Sequence, residues 1–219
     1  IDITAAQTES LADHLMWQLD MQKLTPLEYE AGAYLIGNID DDGFLVTSIR
    51  ELLESQQDLY SRIIKKHKKR ELPELPEIDA DLCNLKFQSS KTSHKKKNRQ
   101  DNDPSLNEDG TLIDEETEKP EILPPACAFL ESVLNKIQQF NPNGVGARSL
   151  QESLLIQLEM LGESDNLSSR IVKNDMQFLE SKDLKKIARR QKQDIEQVID
   201  SYRLIMSLEP KPGREFISN

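Results

Sequence analysis

Apolar residues recur at steps of three and four along most of this chain, the spacing of helices that bury one face and expose the other. Leu11, Leu15 and Leu19, with Met16 and Trp17, lay an apolar stripe on a first helix over residues 4–21. Thr25-Pro26-Leu27-Glu28 opens a second, because threonine accepts from free backbone N–H groups and proline suits the first helical position. Its inward face is Leu27, Ala31, Tyr34 and Leu35. A polar joint from Asn38 to Gly43 ends that helix, and Thr47-Ser48 caps a third that runs through Leu52 and Leu53.

From Ser61 the periodicity fails. KKHKKR, LPELPE, KTSHKKKNRQ and DEETEKPE are charged, proline-bearing and poor in aromatics. Residues 61–120 are therefore expected to be an inserted, disordered linker, unable to bury enough surface to offset its ordering entropy, with His67 and His94 in solvent. Helical spacing returns after Pro124-Pro125 over residues 126–140, then at Leu150, Leu154, Leu155, Leu158 and Leu161, with Gly162 as the stop. Three more helical segments follow at 167–179, 184–190 and 195–208; in the last, Ile195, Val198, Ile199, Tyr202, Ile205 and Met206 are expected inward. The predicted fold is all-α. A first helical subdomain comprises 1–60 with 121–162, the charged insert is 61–120, and a second subdomain with a helix-turn-helix outline is 163–219.

Two joints invite a test for bound ligands. FNPNGVGARSL, from Phe140, sets glycines before a helix, where backbone N–H groups can cradle phosphate. It lacks the Lys and Ser/Thr of a P-loop after Gly146, and Ser149 stands where a dinucleotide loop needs its third glycine. The segment before it is helical rather than a strand, so the loop reads as a helix-to-helix joint. In the other joint, Asn38, Asp40, Asp42 and Gly43 occupy the first, third, fifth and sixth places of a calcium loop, but Ile49 stands where the bidentate glutamate belongs. No catalytic cluster, metal set or cofactor motif is expected, and the chain does not read as an enzyme.

Charge changes the picture of partners. Residues 1–60 carry 12 acids against 2 bases, 61–100 carry 12 bases against 5 acids, 101–122 carry 9 acids against 1 base, and 123–219 carry 13 of each. So acidic a beginning repels a phosphate backbone and suits a basic protein surface. Cys83 and Cys127 lie in no metal-ligand spacing and are expected as unpaired thiols in a reducing compartment. No apolar run approaches the roughly 18 residues of a membrane span. A cytoplasmic chain is expected, and its opening on Ile1 rather than Met suggests a piece of something longer.

The first joint has an echo. Ile137-x-x-Phe140-x-Pro142 is matched by Ile205-x-x-Leu208-x-Pro210, each followed closely by glycine and arginine, which points to a twofold repeat of helical units. Proline stops each helix and glycine permits the exit. Segments 184–190 and 195–208, joined through Gln191-Lys192-Gln193, also outline a helix-turn-helix, with Arg189, Arg190 and Lys192 as its DNA contacts. A stand-alone helix-turn-helix DNA-binding transcription regulator is accordingly the alternative function.

YLIGNIDDDGFL (from Tyr34), FNPNGVGARSLQESLLIQL (from Phe140) and SLEPKPGREF (from Ser207), in this order, resemble the core-binding domain of the bacterial sigma-54 transcription initiation factors. The resemblance covers 1–60 and 123–219 and leaves out 61–120, which relatives usually span by a shorter path. It implies a domain that docks on core RNA polymerase, within a factor that directs polymerase to promoters and holds the complex closed until an ATP-hydrolysing activator acts. Promoter DNA and activator would be met through regions of the full-length factor that this chain lacks. On the same resemblance, candidate contacts are Asp40, Asp41, Asp42 and Gly43; Asn141, Pro142, Gly144, Val145, Gly146 and Arg148; and Pro210, Pro212, Gly213 and Arg214. Arg148 is the sharpest of these, expected to be exposed with no packing duty.

Overall fold

Capping residues set where the first three helices begin. In the computed structural model, which describes residues 9–76, 82–86 and 124–216, α1 is Leu11–Asp20, α2 is Pro26–Ile36 and α3 is Ile49–Ser55. Ser10 with Asp13, Thr25 with Glu28 and Ser48 with Glu51 each form a reciprocal capping box that satisfies the free N–H groups of the first turn. The box at Ser10 explains why α1 starts at Leu11 and not at residue 4, as the apolar stripe alone suggested; residues 4–8 lie outside the described residues.

The expected break at Ser61 is not there. A fourth helix, α4 (Gln57–Lys68), runs through it, burying Leu59 and Ile63 while its lysines face solvent and complement the negative end of the helix. Beyond it Leu72 and Leu75 pack against the first core, and a 3-10 turn, Leu82–Asn84, returns the chain to α3. The lysine run hid an amphipathic helix with only two deeply buried positions. The remainder of the expected insert, 77–81 and 87–120, lies outside the described residues, as does His94.

Five helices follow: α5 (Pro124–Ile137), α6 (Leu150–Met160), α7 (Leu167–Glu180), α8 (Leu184–Gln191) and α9 (Ile195–Met206), then a 3-10 turn over Pro212–Phe216. Among the described residues there is no β-strand, only isolated bridges pairing Ile39 with Leu45 and Phe44 with Ala147, so the chain is all-α as predicted. The helices divide between two apolar cores. Leu15, Leu35, Leu53, Ile63, Phe129 and Leu130 belong to the first, where α5 packs against α2, α3 and α4. Leu158, Ile171, Val172, Ile187 and Val198 belong to the second. Each such side chain, fully buried, stabilises the fold by about 1.5–3 kcal/mol before entropy is counted. α6, which the sequence reading places with the first subdomain, buries Leu154 and Leu158 in the second core.

Two expectations are corrected. Cys83 and Cys127 are not free thiols but a disulfide, both ends buried, across a sequence separation of 44 residues. The turn carrying Cys83 is also fastened to α3, since Arg50 Nε donates to Asn84 Oδ1 at 2.6 Å and Lys86 pairs with Glu51. Residue spacing says nothing of such a pair, because the return of the chain to α3 creates it. Apolar positions were also assigned inward too freely. Trp17 is 55% exposed and Met206 62%, with Ile195 exposed as well. Ile195 and Met206 lie at the edge of a stripe whose centre, Val198, already fills the core, and Trp17 lies on the face of α1 opposite Leu15. Among the described residues no helix is long and apolar enough to cross a membrane.

Candidate functional site

The three sequence motifs meet in space. The joint after α2 turns on Gly43, whose φ of +94° suits glycine, and Asp40 closes it by accepting the Phe44 N–H at 2.8 Å. Against one side lies the loop before α6: Gly146 donates to the Gly43 carbonyl at 2.9 Å and Leu45 donates to the Ala147 carbonyl at 3.0 Å. Against the other lies the turn after α9, with Gly213 donating to the Asp42 carbonyl at 3.1 Å and Lys211 Nζ 2.8 Å from Asp42 Oδ2. A Cβ on Gly213 would stand 2.2 Å from the Asp41 carbonyl oxygen, so only glycine lets the two turns approach this closely. Segments separated by more than a hundred residues thus form one junction.

Most of the predicted contact residues are the material of this junction rather than its surface. Gly43, Pro142, Gly144, Val145, Gly146, Arg148, Pro212 and Gly213 are buried; Asp40 and Asp42 are half-buried; Asp41, Asn141, Pro210 and Arg214 are exposed. Asn141 and Pro142 are joined by a cis peptide bond.

Arg148 differs most from expectation. It is 7% exposed, and its guanidinium reaches Glu131 Oε1 of α5 at 2.6 Å and Glu152 Oε1 of α6 at 3.0 Å. Glu152 also accepts the Arg148 backbone N–H and a bond from Gln138. Burial pushes the Glu131 carboxyl above its ordinary value, and the charge of Arg148 offsets this only in part. Burial works against the charge of Arg148 too, but Glu152 and Glu131 outweigh it and hold the group above its ordinary value. The network fixes α5 to α6 and leaves no guanidinium free for a partner. Glu131 was invisible in the sequence because it sits among apolar neighbours on α5 with no motif around it.

A second feature escaped the sequence reading. Gln18 of α1 donates to the Asn141 carbonyl at 2.6 Å and accepts the Asn141 N–H at 2.8 Å. Gln157 of α6 does the same to Glu209, at 2.8 Å and 3.0 Å. Asn141 and Glu209 are the residues before Pro142 and Pro210, the matched positions of the repeat. The helices match as well: HLMWQLDM from His14 and SLLIQLEM from Ser153 carry leucine, glutamine, leucine and methionine in the same places. Each half therefore closes its last loop with a glutamine from its own first helix. Gly144 is shaped by the second clamp, because a Cβ there would stand 2.8 Å from Gln157 Nε2 and 2.5 Å from Ser153 Oγ.

The residues offered for DNA contact are differently placed. Arg190 is held by the buried Asp175 of α7 and lies 5.4 Å from the ring of Phe178, which also receives Lys186 at 4.2 Å. Asp175 sits at a kink inside α7 and also accepts from Gln191. Arg189 and Lys192 are exposed.

The site is a junction of turns held by main-chain bonds, and the comparisons with known proteins say what the chain is similar to. The model of the family described as "Sigma-54 factor, core binding domain" matches residues 1–73 and 103–219. The chain belongs to that family. Proteins named RNA polymerase sigma-54 factor are similar along nearly the whole chain: that of Xanthomonas euvesicatoria is 27% identical over 96% of this chain and 31% of its own length. That of Azotobacter vinelandii is 27% identical over 96% and 30%. That of Salmonella typhimurium is 24% identical over 94% and 31%. The chain thus spans less than a third of the length of these sigma-54 relatives.

Proposed function

We propose that this chain is the core-RNA-polymerase-docking part of a sigma-54-type transcription initiation factor, acting in the cytoplasm by binding rather than by catalysis. Promoter recognition and the response to an ATP-hydrolysing activator belong to the full-length factor. One observation carries the reading: the three motifs that resemble the family are the three turns that meet at Gly43, Gly146 and Gly213, so the residues that mark the family form one unit in this chain. The acidic surface of the first 60 residues, 12 acids against 2 bases, supports a basic protein surface as partner. Size-exclusion chromatography with purified core polymerase tests it. Co-elution is expected at micromolar concentration, and separate elution overturns the reading.

A further inference from the structure

The outward face of α1 holds exposed apolar groups, among them Trp17, whose indole is stacked with the His14 ring at 6.3 Å. Trp17 is 55% exposed and Met21, the residue that caps α1, is 64% exposed, while Leu11, Leu15 and Leu19 on the opposite side are buried. Asp13, Trp17, Asp20 and Met21 stand at i, i+4, i+7 and i+8, which puts two carboxylates beside the two apolar groups on one helical face. Among the described residues neither carboxylate meets a cation: Asp13 caps the helix through Ser10, and Asp20 accepts from the Tyr29 hydroxyl at 2.8 Å. Lys23 is the one lysine or arginine in the first 49 residues. The face is fixed to the junction, for Gln18 clamps Asn141 and the His14 ring lies 4.9 Å from that of Phe216. An open groove of about 440 Å³ continues from Asn141 past Pro212, with Glu209 and Glu215 on its walls. In the second half the equivalents of Trp17 and Met21 are Ile156 and Met160, and both are half-buried.

We propose that this face of α1, centred on Trp17, receives an arginine- or lysine-bearing segment of core polymerase, the cation lying over the indole and between the carboxylates of Asp13 and Asp20. An indole face attracts a cation, and tryptophan ringed by neutral contacts is a common anchor of protein interfaces. The inference rests on the docking function proposed above, and the test separates the two. Binding of core polymerase to the immobilised chain is measured by biolayer interferometry at low and high salt, for the wild type, Trp17→Ala with Met21→Ala, Trp17→Phe and Asp20→Asn. The double variant is expected to bind at least about tenfold more weakly, Trp17→Phe to recover part of that loss, and Asp20→Asn to flatten the salt dependence. Thermal melting of the double variant stays at the wild-type value, since neither side chain is buried. Wild type that does not bind overturns the docking function itself. Wild type and double variant that bind equally remove this face while the docking function stands. If instead the double variant turns a dimer of this chain into a monomer, the face is a self-association surface and the inference falls.

Discussion

Gln18 and Gln157 make the same two hydrogen bonds to the residue before a proline, yet one works half-exposed and the other buried. The first spans 123 residues and the second 52. Chain length between clamp and loop is thus free to change, because the clamp is decided by where α1 and α6 lie against the ends of α5 and α9. Burial then separates the halves. Gln157 is buried, as are its neighbours Ser153, Leu154 and Leu158, whereas around Gln18 the helix face carrying Trp17 stays open. A duplicated unit has kept its closing bond in both copies and left one copy with a surface to offer.

The seam between the halves is the place to break this comparison most severely. Arg148→Ala strands Glu131 as a buried, unpaired carboxylate between α5 and α6, and should cost about 3–5 kcal/mol in urea unfolding followed by circular dichroism. The first half alone carries a cross-link, so Cys83→Ser with Cys127→Ser should remove about 4 kcal/mol by the loop-entropy estimate for a 44-residue separation. Hydrogen exchange should show the loss in α3 and α5 and spare α7 to α9; equal loosening of both halves would mean that they unfold as one unit. Gln157→Ala removes the partner of the Glu209 N–H and carbonyl at a part-buried site and should cost about 1–2 kcal/mol, against about 1 kcal/mol or less for Gln18→Ala, where the bonds are exposed and water can replace the amide. Equal costs would erase the distinction between the clamps.

The smallest effect concerns acid. Arg62 holds Glu30 and Lys86 holds Glu51 below the ordinary carboxylate value. Burial works to raise Glu28, but its bonds from Lys136 and Thr25 outweigh it and lower it too. A lowered carboxylate contributes stability that is present above its ordinary value and lost as pH falls through the lowered one. Glu131 is raised and runs the other way, its contribution present below the ordinary value and lost as pH climbs through the raised one. Thermal melting from neutral to acidic pH should therefore fall below the ordinary carboxylate value of 4.5, and Lys136→Met should shrink the fall.

Elements that rest on local pattern were legible in the sequence; those that rest on assembly were not. Thr25-Pro26-Leu27-Glu28 announces a helix start within four residues, and the structure builds a capping box there. Phe140 to Ser149 failed both phosphate fingerprints and is a turn whose N–H groups serve other parts of the chain. The echo at Pro142 and Pro210 was visible too, but not the glutamines that give it purpose, since each clamp joins helices far apart in sequence. Arg148 was misplaced for the same reason. An arginine next to glycines looks exposed until Glu131 is brought over it from the preceding helix. The helix after Ser61 was missed because six basic residues within nine positions outweighed Leu59 and Ile63 in any reading of composition.

The bridge from Cys83 to Cys127 has one more consequence, for what can be grafted into the chain. Its two Cα atoms are 5.8 Å apart, and the chain leaves the described fold just after one of them, at Lys86, and re-enters just before the other, at Pro124. Doubling the length of a closed loop costs only about 0.6 kcal/mol. A change of chain length between Lys86 and Pro124 should therefore cost the described fold little, because the bridge holds the two ends near each other whatever joins them.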